Sequence, residues 1–120
     1  MGKEQFNNTV KVEWLSDDPR KMRLLEDVVF TDSKDRHWIA LRGAIIDGAS
    51  IPKFFWRVIG SPFVGYYRRA SVIHDVYCEN HLRPAQEVHD VFKEMMLADG
   101  VPDIKAETMY NAVNTFGPRW

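Results

Sequence analysis

Apolar and charged positions alternate from Val10, with Val12 and Trp14 separated by Lys11 and Glu13. That is the period of two expected of a half-buried strand. Ser16-Asp17-Asp18-Pro19 follows with turn chemistry, Asx side chains ahead of a proline. A second strand is expected within residues 22–30 (MRLLEDVVF), kinked or bulged at Glu26-Asp27, and a third over residues 37–41 after a turn at 31–35. Connections of this length predict an antiparallel meander over residues 8–42.

From residue 43 the pattern changes. Residues 43–52 (GAIIDGASIP) form a small-residue loop, and Ser50 ahead of Pro52 suits a helix start. A short helix over 53–59 carries Phe54, Phe55, Trp56 and Val58, and residues 60–65 break it. The central helix is predicted over 66–79, where Tyr67, Ala70, His74, Tyr77 and Cys78 share one face at spacings of three and four. Pro84 opens an amphipathic helix over 84–98 with Val88, Val91, Phe92 and Met95 on its apolar side. Gly100 and Pro102 end it, and a last helix over 104–116 uses Met109, Ala112, Val113 and Phe116. Strands first and helices after give the α+β class: an N-terminal antiparallel β-meander packed against three or four C-terminal helices, in one domain over 1–120.

Composition adds mainly exclusions. A net charge of −1 leaves no electrostatic footprint for nucleic acid or an anionic membrane. The single cysteine, Cys78, excludes an internal disulfide and a CxxC metal clip. No run approaches the ~20 apolar residues that span a bilayer. Met1-Gly2-Lys3-Glu4-Gln5 leads into polar residues with no apolar region behind it, so no signal peptide is expected.

The candidate chemistry centres on His74-Asp75. An imidazole pointing into a core beside a carboxylate needs a partner or a task, because burying either unpaired is costly. The structural alternative is a histidine tied to a backbone carbonyl. Asp47 in the small-residue loop and Asp90 on the next helix are expected to converge with this pair, so that Asp47, His74 and Asp90 share one hydrogen-bond network or one ion. Each has a plain reading too, a turn-forming Asp before Gly48 and a solvated charged face at Asp90. Cys78 lies one turn beyond His74, but without a third group to orient a base the two make a weak nucleophile pair. A second His-Asp, His89-Asp90, invites comparison with HD-type phosphohydrolases, which need a larger all-helical core than this strand-rich first half allows.

The run Asp47-Gly48-Ala49-Ser50-Ile51-Pro52 with Trp56, then His74-Asp75-Val76-Tyr77, Arg83, Asp90-Val91-Phe92, Tyr110-Asn111-Ala112-Val113 and Phe116-Gly117, carries a resemblance. Over roughly residues 40–117 the chain resembles the small phage and prophage family catalogued as domain of unknown function 1353. Ile46 stands where that family's pattern has Thr, and His89 stands where it has Ala. The second departure leaves open whether His89 is an addition to the site or a neutral change on its rim. The resemblance implies a phage or prophage context and a shared polar site. By analogy with secreted phospholipases A2, His74 would be the base, Asp75 the metal ligand and Asp90 the orienter.

Two function classes therefore stand as expectations. The first is a small hydrolase, with His74, Asp75 and Asp90 as catalytic residues and Asp47, Ser50, Trp56, Tyr77 and Arg83 as binding residues. A divalent metal, zinc or calcium, would be held by His74, Asp75 and Asp47 and would assist attack by water on a cell-envelope substrate. The second is a non-enzymatic virion component or host-interaction protein in which the polar cluster is a structural hydrogen-bond network. Partners would be phage structural proteins or a host protein, and the location the host cytoplasm or the virion. Phe54, Phe55, Trp56, Val58, Phe63, Tyr66 and Tyr67 exceed what a short helix buries on one side. Either the N-terminal sheet covers them, or they form a binding surface or a homo-oligomer contact.

Overall fold

Short runs of alternating burial, none longer than four residues, build the sheet half of the molecule. The computed structural model describes residues 5–7, 9–15, 21–48, 50–59 and 65–120. Within these, β1 (Gln5–Phe6), β4 (Val28–Thr31) and β5 (His37–Ala40) form one antiparallel sheet in the order β1-β4-β5. A second antiparallel sheet has the order β2-β3-β6, from β2 (Val12–Trp14), β3 (Met22–Leu24) and β6 (Ile45–Ile46). In register, Val28 faces Ala40 and Phe30 faces Trp38, and all four are buried while Ile39 between them is exposed.

The expected single strand over 22–30 is thus two strands in different sheets. Glu26-Asp27 is where the chain crosses over, and Asp27 Oδ1 fixes the crossing by accepting the N–H of Arg42 at 2.7 Å. β1 and β6, two residues each, are too short for any period to show. Trp14 pairs opposite Met22 on the core side of β2, yet β2 is an edge strand and the indole stays 67% exposed. The turn expected at Ser16–Pro19, the helix break at residues 60–64 and Phe63 lie outside the described residues.

The helical half follows the 3.6-residue period closely. One 3₁₀ turn (Lys53–Phe55) leads into α1 (Trp56–Ile59), and another (Gly65–Tyr67) into α2 (Arg68–Asn80). His81, in the left-handed region at φ 57°, ends α2 by returning its N–H to the Tyr77 carbonyl. Pro84 and Pro102, both extended, stand immediately before α3 (Ala85–Ala98) and α4 (Asp103–Phe116). The core lies between the strands and α2 on one side and between α2, α3 and α4 on the other, filled by Trp38, Phe30, Ile73, Phe92, Met95, Met96 and Met109. Tyr77 joins the halves: its ring meets Trp38 edge-on at 5.0 Å and its hydroxyl accepts the Ile39 N–H at 2.8 Å. The aromatic segment divides. Tyr67 is buried, Phe55 and Trp56 pack half-buried on the core, and Phe54 and Tyr66 are exposed. Among the described residues no helix is long and apolar enough to cross a membrane.

Asp32 is the polar anchor of the turn between β4 and β5. Its Oδ1 accepts the N–H groups of Lys34 and Arg36, both at 2.9 Å. Its Oδ2 accepts Arg36 Nε–H and Trp38 Nε1–H, both at 2.8 Å. Arg36 and Arg83 in turn lie over the Trp38 ring, at 5.5 and 4.6 Å from its centroid. Burial alone would raise the Asp32 carboxyl, but the bonds from Trp38, Arg36 and Lys34 outweigh it and hold the group below its ordinary value. Its stabilisation is therefore complete above the unfolded-state pKa and is lost as the pH falls through the lower folded value.

Asp32→Asn should cost about 1.5–3 kcal/mol near neutral pH. The gap to the parent should narrow as the pH drops below the 3.8 of a free carboxyl, read by urea titration across the acid range; a gap independent of pH would contradict it. Tyr77→Phe removes the acceptor of the Ile39 N–H and should lower stability by about 1 kcal/mol, as a shifted urea midpoint at unchanged slope.

Candidate functional site

The site is assembled where α2 faces the loop behind β6 and the first half of α3. Adjacent positions on a helix point about 100° apart, so His74 and Asp75 serve different neighbours. Asp75, 8% exposed, turns to the loop. Its Oδ2 accepts the N–H of Asp47 at 3.1 Å and its Oδ1 the N–H of Ser50 at 3.2 Å. Burial raises the Asp75 carboxyl and the Asp47 carboxylate nearby adds to the rise, against the opposing pull of the Asp47 and Ser50 bonds.

His74 turns to α3. Its ring, 0% exposed, stacks on Phe92 at 4.4 Å. Its Nδ1 lies 3.0 Å from Ser50 Oγ and its Nε2 2.9 Å from His89 Nδ1. His89, also 0% exposed, donates from Nε2 to the Pro118 carbonyl at 2.9 Å. Cys78, one turn after His74, puts its sulfur 3.7 Å from His74 Nε2. Burial, and then the neighbouring His89, push His74 well below the usual imidazole range, leaving it neutral. His89 is lowered as well, by burial and by Arg119, against the Pro118 bond and Asp90. The Cys78 thiol is pushed up to about 12 by burial, with Asp75 and Glu79 adding to the rise.

The chain's last residues close this region. Trp120 stacks on His81 at 4.4 Å, meets His89 at 6.1 Å and donates its indole N–H to the Arg83 carbonyl at 2.8 Å. Arg119 donates to the Gln86 and Asn114 side chains at 3.2 and 2.6 Å.

Of the residues singled out in the sequence, Asp47, Ser50, His74 and Asp75 come together. Asp90 does not join them. It is the position after His89, so when His89 points inward Asp90 is carried round to the surface, where it accepts from Gln86 at 2.8 Å and from Tyr110 at 2.7 Å. The second imidazole occupies the place expected for the orienting carboxylate. Trp56 donates to the Ile51 carbonyl at 3.3 Å and so braces the loop from outside. Tyr77 and Arg83 serve the Trp38 contact rather than His74. Among the described residues, the His, Cys, Asp and Glu side chains grouped closely enough to hold an ion are His74, Cys78 and His89, with donor atoms within 4.8 Å of one another. Asp75 and Asp47 lie outside that group. Cys78 was visible one turn beyond His74 and His89 as part of a second His-Asp pair, but only the packing of α2 on α3 brings all three together.

The family model described as "Protein of unknown function (DUF1353)" matches residues 22–113. The chain is 46% identical over 116 residues to "Uncharacterized protein y4jT" of Sinorhizobium fredii (strain NBRC 101917 / NGR234), covering 96% of this chain and 34% of that protein. It is 42% identical over 97 residues to "Uncharacterized protein y4iH" of the same organism, covering 81% of this chain and 41% of that protein. The chain therefore spans between a third and a half of the length of these relatives. No solved structure matches it. The matched span holds the β3–β6 strands, the 47–52 loop and all three ring and sulfur donors, and by that match the chain belongs to the DUF1353 family.

Proposed function

We propose that this chain is a small hydrolase in which the cluster around His74 works with a divalent ion to bring water onto a cell-envelope substrate. One observation carries the reading. A neutral imidazole is held at both ring nitrogens, with a second imidazole and a sulfur at its open edge, all on packed helices rather than on loops. A bound ion would acidify a water and stabilise the anion that develops as it attacks. The protein's part is to fix the donors: Asp75 holds the 47–50 loop, Ser50 holds the His74 ring and the Pro118 carbonyl holds the His89 ring. The envelope as target, whether a cell-wall amide, a lipid ester or a phosphoester, rests on the phage and prophage context of the resemblance.

A second reading is favoured by the complete burial of His74 and His89. There the cluster is a hydrogen-bond network that pins loop and tail to the helices, in a non-enzymatic virion component or host-binding protein. Phage structural proteins, a host protein or a second copy would be its partners.

The readings separate on incubation with peptidoglycan fragments, phospholipid vesicles and a phosphodiester, with and without added zinc. The hydrolase releases product from one class, and a chelator or His74→Ala abolishes it. No product from folded, metal-supplemented protein on any of the three rejects the hydrolase. Asp75→Asn replaces one accepting oxygen with an NH₂ that cannot take a backbone N–H. It should cost about 1–3 kcal/mol and speed amide exchange at Asp47 and Ser50. In the hydrolase, turnover falls beyond the lost folded fraction; in the structural protein the stability cost is the whole effect.

A further inference from the structure

Proton counting around His74 allows two states for the gap between the two imidazoles. The Pro118 carbonyl can only accept, so His89 carries its proton on Nε2, and a neutral His89 leaves a lone pair on Nδ1. That lone pair faces His74 Nε2 at 2.9 Å. The other end of the His74 ring meets Ser50 Oγ at 3.0 Å. If Ser50 donates to Nδ1, His74 Nε2–H bonds His89 Nδ1 and the chain closes as hydrogen bonds alone. If Ser50 accepts from Nδ1–H, two lone pairs turn on one point with the Cys78 sulfur 3.7 Å from His74 Nε2. The second tautomer is the one that takes a cation.

We propose that His74 Nε2, His89 Nδ1 and Cys78 Sγ are three protein ligands of a tetrahedral zinc ion. The fit is close. Zinc bonds of about 2.1 Å to nitrogen and about 2.3 Å to sulfur place tetrahedral donors about 3.4 Å apart for N···N and about 3.6 Å for N···S. The separations here are 2.9 Å between the nitrogens and 3.7 Å from His74 Nε2 to the sulfur, which is also 3.8 Å from Nδ1, with all three donors within 4.8 Å of one another. The nitrogens part by about 0.5 Å and the sulfur swings toward His89 to complete the site. In that tautomer each outer ring nitrogen donates to an oxygen, Ser50 Oγ or the Pro118 carbonyl, the second shell that metal-bound histidines use to fix tautomer and orientation. Two imidazoles and a sulfur are borderline-soft donors that suit zinc and exclude calcium, which takes oxygens. Binding releases the Cys78 proton to solvent and leaves the fourth position for water, the three-ligand pattern of catalytic rather than structural zinc. The centre stands on donor geometry and does not require the hydrolase.

The test uses the full chain, stripped with a chelator and reconstituted with zinc or cobalt(II). Metal analysis should give one zinc per chain. The cobalt form should show the intense visible bands of a tetrahedral ion and a near-ultraviolet thiolate-to-cobalt band. Cys78→Ser should remove that thiolate band, and Ser50→Ala should weaken zinc affinity 10- to 100-fold. Less than stoichiometric zinc in the reconstituted parent overturns the centre, as does a cobalt form without the thiolate band; both are read on the parent, so a variant that fails to fold does not blunt the test. Stoichiometric zinc with no hydrolysis leaves the centre standing and removes only the hydrolase.

Discussion

A neutral imidazole has two nitrogens and one proton, and at zero exposure no water is at hand to correct a mismatch. That constraint, at His74, organises the rest of the site. The ring must find an acceptor on one side and a donor or a cation on the other. It finds them in segments far apart in sequence: Ser50 in the loop after β6 and His89 on α3. His89 passes the same requirement to Pro118, beyond the last helix. One buried histidine thereby couples loop, helix pair and C-terminal segment. Because each member's tautomer depends on the next, the cluster behaves as a unit rather than as separate bonds.

Asp75 completes the division of labour. Two adjacent helix positions cannot serve one point, and here they do not. The carboxylate grips two backbone amides of the 47–50 loop, while the imidazole reaches the other way. This is why a phospholipase-like assignment, with the acid beside the histidine as metal ligand, does not carry over. The oxygens of Asp75 are engaged by the N–H groups of Asp47 and Ser50, and the donors grouped closely enough for an ion are nitrogen and sulfur.

Helices were legible from the sequence and the sheets only in part. α2, α3 and α4 each hold a three-and-four apolar stripe longer than three turns, bracketed by Pro84, Gly100 and Pro102, and their ends fall within two residues of expectation. The sheet half offers strands of two to four residues, over which alternation cannot report which sheet a strand joins. Glu26-Asp27 was readable as an interruption, but its meaning, a crossing from one sheet to the other, depends on pairing. Asp32 looked like an ordinary turn residue because its value lies in four side-chain bonds that only the folded turn assembles, including one to an indole six residues on.

The site was legible to the same degree, and for the same reason. A polar pair on an apolar helix face announces itself, since composition along one helix is local information. Which partner meets it is not local. Asp90 and His89 are neighbours in sequence, and the choice between them turns on the rotation of α3 against α2. The apolar stripe through Val88, Phe92 and Met95 decides that rotation. On this stripe His89 lies beside Val88 and Phe92 on the buried side, and Asp90 falls outside it toward Tyr110. Helical phase therefore fixes the inner partner of His74 as an imidazole rather than a carboxylate. With that, the chemistry of the buried centre changes from proton relay by an acid to nitrogen and sulfur donors around one point.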